Sequence, residues 1–372
     1  CQPGLRQQRM SITHRGTPRA DGFRMPGEHE SQQAVLMAWP ERSDNWREGA
    51  GPAQQAFTAV ATAIAAETPV IMCASSAQLD RARAMLPETV EVVAIPSNDS
   101  WMRDIGPSYV TNDCGELRGV DWHFNAWGGD VNGLYQDWSL DDALAGKVLA
   151  QRSEGRYRAP LILEGGSIHV DGEGTCITTA ECLLHCGRNP DLDKDSIESL
   201  LRDYLNVDKV IWLERGLYND ETDGHVDNIL HIVGPGEVLL TWCDDPDDPV
   251  YEICRECLAT LEAETDARGR RIKVHKLPLP GPLYLAAHEA SGIEPSAGMV
   301  RCAGERLAAS YANFLITNNR VVFPLLDPLH DEQAREIFQN LFPGRDIVGV
   351  SCREIILGGG NIHCITQQIP AL

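Results

Sequence analysis

The feature that most constrains the fold of this chain is a structural unit that recurs five times along its 372 residues. In each unit, an amphipathic helical stretch is followed by a short β-branched run, a polar segment rich in Gly and Asn, and a hairpin. Five such units predict radial repetition of small mixed sheets with outer helices. The alternative is the doubly wound sheet that alternating strands and helices most often form. A nucleotide-binding version of that sheet is disfavoured, because no G-x-G-x-x-G segment follows the first strand and no Walker-type phosphate loop is present.

The predicted elements follow the same order in each unit. The predicted helices cover residues 53–67, 77–86, 194–205, 251–264 and 331–342. The predicted strands cover residues 90–95, 108–110, 161–163, 175–179, 210–213, 273–277, 311–316, 321–325 and 347–350. No linker separates these segments, so we predict one compact domain over residues 23–372. Residues 1–22 are polar and basic without periodicity, which predicts a flexible N-terminal extension.

The composition is that of an acidic globular protein. The 54 acidic and 32 basic side chains give a formal net charge of −22. This charge repels nucleic acid and anionic membranes and attracts small cations, although in many enzymes it serves solubility alone. The twelve cysteines follow no disulfide spacing, and we find neither a signal segment nor a membrane-length apolar run. These features predict a cytoplasmic protein without a nucleic-acid or membrane partner.

Cys364 is the candidate nucleophile, and it follows three consecutive glycines near the end of the chain. A thiolate is a strong nucleophile where its pKa is lowered or where a cationic electrophile is delivered to it. Glycines in this position permit a close approach of the backbone. Taken alone, a cysteine in such a segment is more often a small buried hydrophobe. In a strand, His363 would lie on the opposite face from Cys364, so we do not expect it to be the catalytic partner.

His225 is the better candidate for an acid–base partner. If its segment is a strand, the two-residue period places Asp223, His225 and Asp227 on one face. An imidazole between carboxylates is held charged or correctly oriented, as a general acid–base group must be. The same three residues fit a metal site or a purely structural cluster equally well. We predict no metal, because the chain lacks an H-E-x-x-H segment and paired C-x-x-C segments.

Two further carboxylates, Asp104 and Glu164, each lie where an apolar run meets a turn. Full burial of a carboxylate without a partner is costly. A guanidinium ligand would satisfy both acids through bidentate hydrogen bonds. A structural ion pair with a nearby arginine, of which Arg103 is the obvious candidate, explains either acid taken alone at least as well.

Taken together, seven segments of the chain resemble the agmatine deiminase family, and the resemblance covers about residues 22–369. The longest is the run of eleven residues at 218–228. The segments are MPGE at 25–28, MAWP at 37–40, WMRDIGP at 101–107, FNAWGG at 124–129, EGG at 164–166, YNDETDGHVDN at 218–228 and GGGNIHC at 358–364.

The resemblance implies a five-bladed α/β propeller, the pentein fold of guanidine-modifying enzymes, and a role for each candidate residue. It implies that Cys364 attacks the guanidinium carbon. His225 would protonate the departing ammonia and then activate water. Asp104 and Asp227 would hold the guanidinium nitrogens, and Glu164 would be the third acid of the site.

The implied reaction is hydrolysis of agmatine to N-carbamoylputrescine and ammonia through an S-alkylthiouronium intermediate, without a cofactor. Covalent catalysis suits this substrate, because a resonance-stabilised guanidinium is a poor electrophile. An arginine or peptidyl-arginine deiminase on the same scaffold is the nearest alternative. A non-catalytic cation-binding protein and a metal hydrolase built on His225 are alternatives from other classes.

We predict that five more residues contact the substrate. Aromatic side chains can line an alkyl chain or contact a cation, but core packing explains tryptophans equally well. The predicted contacts are Trp39, Trp101, Trp127, Asp223 and Gly359. The predicted partner is a small cationic guanidine compound. The sequence is also compatible with a homo-oligomer.

Overall fold

The computed structural model describes residues 12–296 and 299–372 and has a mixed α/β architecture. Its strands are β1 Gln32–Ala38, β2 Val70–Ala74, β3 Val90–Ala94, β4 Ser108–Thr111, β5 Leu117–His123, β6 Gly155–Ile162, β7 Ile168–Val170, β8 Thr175–Thr179, β9 Lys209–Leu213, β10 Leu230–Gly234, β11 Glu237–Trp242, β12 Lys273–Pro278, β13 Leu315–Ile316, β14 Arg320–Leu325, β15 Asp346–Ser351 and β16 Thr366–Pro370.

The helices lie mostly between the second and third strands of a sheet. They are α1 Gly51–Ala65, α2 Leu79–Met85, α3 Met102–Ile105, α4 Gly129–Asn132, α5 Ser139–Asp142, α6 Leu144–Arg152, α7 Ala180–Leu183, α8 Lys194–Leu205, α9 Val226–Ile229, α10 Val250–Ala263, α11 Ala287–Ala290, α12 Asp331–Leu341 and α13 Arg353–Leu357.

The described strands form five small mixed sheets with a common arrangement. In β4–β5–β6, β7–β8–β9, β10–β11–β12 and β13–β14–β15, an antiparallel pair is extended by a third strand parallel to the second. The fifth sheet has the order β16–β1–β2–β3, in which β16 is antiparallel to β1 and the next two strands add in parallel. The last strand of the chain therefore completes the sheet that the first strand begins.

The predicted unit recurs, but its boundaries differ from those of the sheets, because each sheet begins with the hairpin that lies in the later part of a unit. The β-branched run of a unit is the last strand of one sheet, and the hairpin that follows it belongs to the next sheet. For example, β3 ends one sheet at Ala94 and β4 opens another at Ser108. The polar segments rich in Gly and Asn are thus the connections between sheets.

The predicted helices agree with the observed ones to within a few residues, because their apolar faces are strongly periodic. In α8, the buried side chains Ile197, Leu201, Tyr204 and Leu205 lie on one face, as the sequence pattern predicts. The predicted strand at 311–316 is wrong over most of its length, since only Leu315–Ile316 pairs.

Buried apolar side chains pack in four groups between the sheets and their helices. The largest group includes Leu36 and Met37 of β1 together with Phe57 and Val60 of α1, all fully buried. Removal of this apolar surface from water is the main favourable contribution to folding. Because β1 pairs with β16 inside this sheet, this group packs around the first and last strands of the described chain.

The predicted flexible extension is only partly described, since residues 1–11 lie outside the described residues. Thr13 forms a parallel bridge with Arg156, and the Tyr157 hydroxyl donates to Asp21 at 2.7 Å. Residues 12–22 therefore contact the body of the protein, and the predicted domain boundary at residue 23 stays a prediction. In the described part of the chain, no helix has the length and apolar character needed to cross a membrane.

We expect Leu36→Ala to lower the free energy of unfolding by about 2–5 kcal/mol, because it leaves a cavity in the central strand of a fully packed sheet. Leu36 is 0% exposed, whereas Leu329 is 86% exposed and serves as the matched control. Leu329→Ala should change the free energy of unfolding by no more than about 0.5 kcal/mol. Urea unfolding followed by tryptophan fluorescence measures both, and equal losses in the two variants would contradict the assignment of the core.

Candidate active site

Polar side chains occupy a corresponding position in all five sheets, a few residues before the first strand of each. They form a continuous set of contacts, so the five connections between sheets meet at one place. The residues are Asp104 before β4, Glu164 before β7, His225 and Asp227 before β10, Asn313 before β13 and Cys364 before β16.

Cys364 lies between an amide and a carboxylate. The Asn313 side-chain nitrogen is 3.1 Å from Cys364 Sγ, and Asp227 Oδ2 is 3.8 Å from the same sulfur. The Asn313 oxygen accepts hydrogen bonds from the backbone N–H groups of His363 and Cys364, at 2.9 and 3.2 Å. Asn313 therefore fixes both the thiol and its backbone.

The Cys364 side chain is a neutral thiol at neutral pH. Burial, followed by the charges of Asp227 and Asp104, raises the pKa of Cys364 well above its ordinary value, although Asn313 opposes the shift. A positive charge placed between the thiol and the two carboxylates would reverse the electrostatic part of this effect. A cation bound at this position would therefore favour the thiolate.

The segment that carries His225 is a turn followed by the short helix α9, so the prediction of a strand is wrong. Asp223 has a φ of 61°, which turns the chain, and its carboxylate binds Arg188 at 2.6 Å instead of sharing a face with His225. His225 and Asp227 do face the same site, since a Cβ added to Gly166 would lie within 2.9 Å of both side chains.

His225 lies between two carboxylates. Its Nδ1 is 3.9 Å from Asp104 Oδ1 and its Nε2 is 3.6 Å from Glu164 Oε2. Burial alone would lower the pKa of His225, but the charge of Asp104 and contacts with Cys182 and Glu164 raise it well above its ordinary value. The ring is therefore an imidazolium at neutral pH and can act as a general acid.

Asp104 is held by two neutral donors. The Trp127 indole N–H and the backbone N–H of Gly166 each donate to its carboxylate at 2.9 Å. Burial, with some help from Asp227 and Glu164, raises the pKa of Asp104 to about 6 against the opposing charge of His225. The predicted alternative, an ion pair of Asp104 with Arg103, is wrong, since Arg103 donates to Gln367, Gln368 and the His363 carbonyl.

Glu164 has a structural ion pair, but its partner is Arg188. The two side chains are fully buried, and Arg188 Nε lies 2.8 Å from Glu164 Oε1. Burial would raise the pKa of Glu164, yet Arg188 and His225 lower it to about 2. Glu164 is therefore ionised, with its second oxygen turned to His225.

Gly166 gives the three polar residues room to meet. A Cβ at this position would lie 2.6 Å from His225 Nδ1 and 2.9 Å from both Asp104 Oδ1 and Asp227 Oδ2. No side chain larger than hydrogen fits without displacing them. The Glu-Gly-Gly segment thus serves the site through its backbone as well as through Glu164.

The structure brings only some of the predicted substrate contacts to the site. Trp127 reaches the site, because its indole N–H donates to Asp104. The Trp101 ring borders Gly360, and a Cβ added to Gly360 would also lie 3.1 Å from Cys364 Sγ. Trp39 is a buried member of the largest apolar group. Its packing supports the core interpretation that the sequence left open.

The other two predicted substrate contacts, Asp223 and Gly359, are held by neighbouring charged groups. Asp223 accepts a hydrogen bond from Arg188, which also donates to Glu164, so Asp223 helps to fix the position of Glu164 through Arg188. Gly359 has a φ of 108°, and a Cβ there would collide with Glu221, which is paired with Arg301. The roles of all five predicted contacts stay predictions.

Sequence reasoning missed three residues that shape the site: Asn313, Arg188 and Glu28. Asn313 had a usable signal, because it is the polar residue in the fourth unit at the position that holds Asp104, Glu164 and Cys364 in other units. Glu28 lies in the MPGE segment that carries the family resemblance, although its role was not predicted. Arg188 had no signal, since it acts on the site from outside the repeated position. Their contacts depend on the folding of the whole chain.

Two buried groups offer atoms that metal ions use. Glu28, His169, His231 and His363 form one group, and in each group the ligand atoms lie within 4.8 Å of one another. The other group consists of Glu164, Cys182 and His225. In that group Arg188 already occupies one oxygen of Glu164, which disfavours a second cation. The prediction that no metal is needed is not tested by this geometry.

Comparison with known proteins gives consistent matches along the chain. Residues 24–370 match the family model described as Porphyromonas-type peptidyl-arginine deiminase. A protein of Photobacterium profundum, provisionally named an agmatine deiminase, is 59% identical and covers 95% of this chain and 98% of its own.

Solved structures agree with these matches. The structure of an Enterococcus faecalis agmatine deiminase is 48% identical, has a TM-score of 0.95, and covers 97% of this chain and 99% of its own. A C. jejuni agmatine deiminase with a cysteine-to-serine substitution and bound substrate is 26% identical, has a TM-score of 0.80, and covers 93% and 96%.

We expect Cys364 to be alkylated by iodoacetamide with a rate that rises more steeply with pH than that of the exposed Cys302. Only the thiolate reacts, and burial beside Asp227 raises the pKa of the Cys364 thiol. Mass spectrometry of the two peptides between pH 7 and about 10 gives the ratio of their rates. If the rate for Cys364 divided by that for Cys302 does not change with pH, limited access alone slows Cys364. If this ratio falls as the pH rises, the Cys364 thiolate is already formed at pH 7. Either result contradicts the neutral thiol.

Proposed function

Because the chain belongs to the Porphyromonas-type peptidyl-arginine deiminase family, we propose that it hydrolyses a guanidinium group and that its substrate is agmatine. The products are N-carbamoylputrescine and ammonia. The observation that carries the proposal is the convergence of the Cys364 thiol with Asp104, Asp227 and the His225–Glu164 pair. A planar cation matches a site with carboxylates on several sides of one nucleophile.

The first half of the reaction forms a covalent intermediate. The guanidinium nitrogens donate to Asp104 and Asp227, and the charge of the substrate lets the Cys364 thiol release its proton to water. The thiolate attacks the guanidinium carbon, and the His225 imidazolium gives its proton to the departing ammonia. The C–N bond breaks and an S-alkylthiouronium adduct remains.

In the second half of the reaction, the same groups act in the opposite roles. His225 is now neutral and takes a proton from the attacking water, while Glu164 stabilises the imidazolium as it forms. The tetrahedral adduct then breaks its C–S bond, which releases the ureido product and restores Cys364. One water is consumed and one ammonia is released in each cycle.

The choice of agmatine rests on the relatives with the higher identities. The Photobacterium profundum and Enterococcus faecalis proteins, at 59% and 48% identity, both carry agmatine in their names. Arginine or peptidyl-arginine is the second candidate, because the family model is named for peptidyl-arginine. An arginine site needs a basic group for the α-carboxylate, whereas an agmatine site does not.

We also infer that the five sheets are the blades of a five-bladed α/β propeller, in a single catalytic domain over residues 23–372. The common strand order of the sheets supports this arrangement. So does the recurrence of a site residue before the first strand of each sheet, because radial repetition brings equivalent positions to one axis. The net charge of −22 favours approach of a small cation over nucleic acid; the cytoplasmic location stays a prediction.

We expect the purified protein to convert agmatine to a ureido product and ammonia with a kcat/KM at least about 100-fold above that for arginine or an N-acylated arginine amide. Ammonia release and mass detection of the product measure this. Cys364→Ser should lower kcat at least about 1,000-fold, because a hydroxyl is a far weaker nucleophile than a thiolate.

The controls separate the alternatives. Cys302→Ser removes an exposed thiol and should leave kcat/KM within about twofold of the unchanged protein. Turnover of none of the three substrates would contradict the function, and a preference for arginine would favour the second candidate. Loss of activity on treatment with a chelator would point to a metal hydrolase.

We expect Gly166→Ala to lower kcat/KM for agmatine at least about 100-fold while the protein remains folded. The added Cβ would displace His225, Asp104 or Asp227 from contacts of 2.6–2.9 Å, and misplacement of catalytic groups by about 1 Å costs about 100-fold. Gly344→Ala is the matched control, since a Cβ there meets nothing within 4 Å. Circular dichroism checks folding, and normal turnover by Gly166→Ala would contradict the described geometry.

A further inference from the structure

Behind Cys364, the side chain of His363 bridges two buried carboxylates. Its Nδ1 lies 2.8 Å from Asp227 Oδ2, and its Nε2 lies 2.8 Å from Glu28 Oε2. His363 and Asp227 are at most 1% exposed and Glu28 is 5% exposed. The proposed mechanism uses Asp227 but gives no role to the other two residues.

Both ring nitrogens of His363 must donate, because ionised carboxylates only accept hydrogen bonds. A neutral imidazole has a single N–H, so His363 satisfies both partners only as an imidazolium. The pKa shifts agree with this state. Burial and Arg103 oppose protonation, yet Glu28 and Asp227 raise the pKa of His363, while the pKa values of Glu28 and Asp227 are lowered against burial.

Of the three imidazole rings in this group, His363 is the protonated one. His169 and His231 lie 5.1 and 5.0 Å from it, measured between ring centroids. Burial lowers the pKa of both, so they are neutral. Two further groups face the same Glu28 oxygen, Oε2: the His231 ring through Nε2 at 3.5 Å and the Arg103 guanidinium at 3.9 Å.

A metal ion is a weaker explanation of this group. Ligation through His363 would need a lone pair on a nitrogen, and both nitrogens are engaged with carboxylates. Arg103 would also lie beside the ion, because it faces the same Glu28 carboxylate. One proton on His363 and the charge of Arg103 already offset Glu28 and Asp227.

We propose that Glu28 is a positioning residue for the reaction: it holds His363 as an imidazolium, which fixes Asp227 Oδ2 and leaves Asp227 Oδ1 for the substrate cation. Asp227 Oδ1 is buried and has no hydrogen-bond partner among the described residues. The identity of that cation rests on the proposed function. Glu28 itself touches neither Cys364 nor the substrate; it acts through His363 from the segment before β1.

The same bridge explains why two carboxylates can face one thiol before a substrate arrives. Asp104 and Asp227 both lie close to Gly166, and like charges at this separation disfavour each other's ionisation. The positive charge of His363 keeps Asp227 ionised and leaves Asp104 as the acid whose pKa is raised. Glu28 is therefore a remote determinant of the charge that the substrate meets.

Glu28→Gln removes the charge with little change in shape. The amide oxygen can still accept from the backbone N–H of Ile316, which Glu28 Oε1 does at 2.7 Å. The amide NH₂ would face His363 Nε2 and would require a lone pair there, so His363 would become neutral. Glu30→Gln is the matched control, because Glu30 anchors the same segment through Arg24 and Gly27 without reaching His363.

The first experiment measures the protonation of His363 directly. We expect ¹⁵N-histidine spectra of the unchanged protein to show His363 as an imidazolium from pH 6 to about 8, with its signals identified by their loss in His363→Gln. In Glu28→Gln, the same ring should be neutral over most of this range. A neutral His363 in the unchanged protein would overturn the proposal, and this result does not depend on any substrate or on the folding of Glu28→Gln.

The second experiment measures kcat/KM for agmatine against pH. At pH 8, Glu28→Gln should lose about 10- to 100-fold, the order expected when a charged hydrogen-bond donor to a carboxylate becomes neutral. The neutral ring can still donate from Nδ1 to Asp227, but it lacks the positive charge. The deficit should shrink as the pH falls, because His363 regains that charge beside Asp227 below its lowered pKa. Glu30→Gln should stay within about twofold at every pH.

The outcomes separate the proposal from the function on which it rests. A deficit of Glu28→Gln that is equal at all pH values would indicate a structural role only and would overturn the proposal. A protein that turns over no agmatine would contradict the function, while the histidine spectra would still decide whether Glu28 holds His363 protonated.

Discussion

The structure depends on the balance of charges that have been removed from water. Glu28, Asp104, Glu164 and Asp227 are four buried carboxylates in one region of the molecule. An isolated buried charge is far too costly to persist, so each acid must be paired or lose its charge. The positive groups that offset them are Arg103, Arg188, His225 and His363, all at most 3% exposed. This pairing of charges allows the site to be buried and still ionised.

The fold supplies this balance through repetition. Each sheet opens with a strand whose preceding connection carries a polar side chain, and the five connections meet. The repeated positions provide the groups that meet at the candidate active site, namely Asp104, Asp227, Asn313 and Cys364, together with the His225–Glu164 pair. Two groups that act on them come from elsewhere: Arg188, which follows α7, pairs with Glu164, and Glu28, which precedes β1, contacts His363. The repeat therefore makes the site, and irregular segments stabilise it.

This division also explains what the sequence could predict. The periodic helices, the recurring unit and the five residues Asp104, Glu164, His225, Asp227 and Cys364 were accessible, because period and motif are local properties. The conformation around His225 could not be predicted from the sequence. The sequence predicts a strand, but the positive φ of Asp223 and the following Gly224 turn the chain into α9. Arg188 was equally inaccessible, because it reaches Glu164 across 24 residues of sequence through tertiary structure alone.

The charge balance connects the resting site to its chemistry. In the absence of substrate, four carboxylates face four cations, so the thiol of Cys364 has no net positive charge to stabilise its ionised form, and its pKa is raised. In the proposed reaction, a guanidinium that binds between Asp104 and Asp227 adds one positive charge, and the loss of the thiol proton restores the balance. Under this mechanism the nucleophile forms only when its electrophile is in place. A neutral ligand of the same shape would occupy the site without producing a thiolate, so the selectivity for a cation resides in the activation of Cys364 as much as in binding.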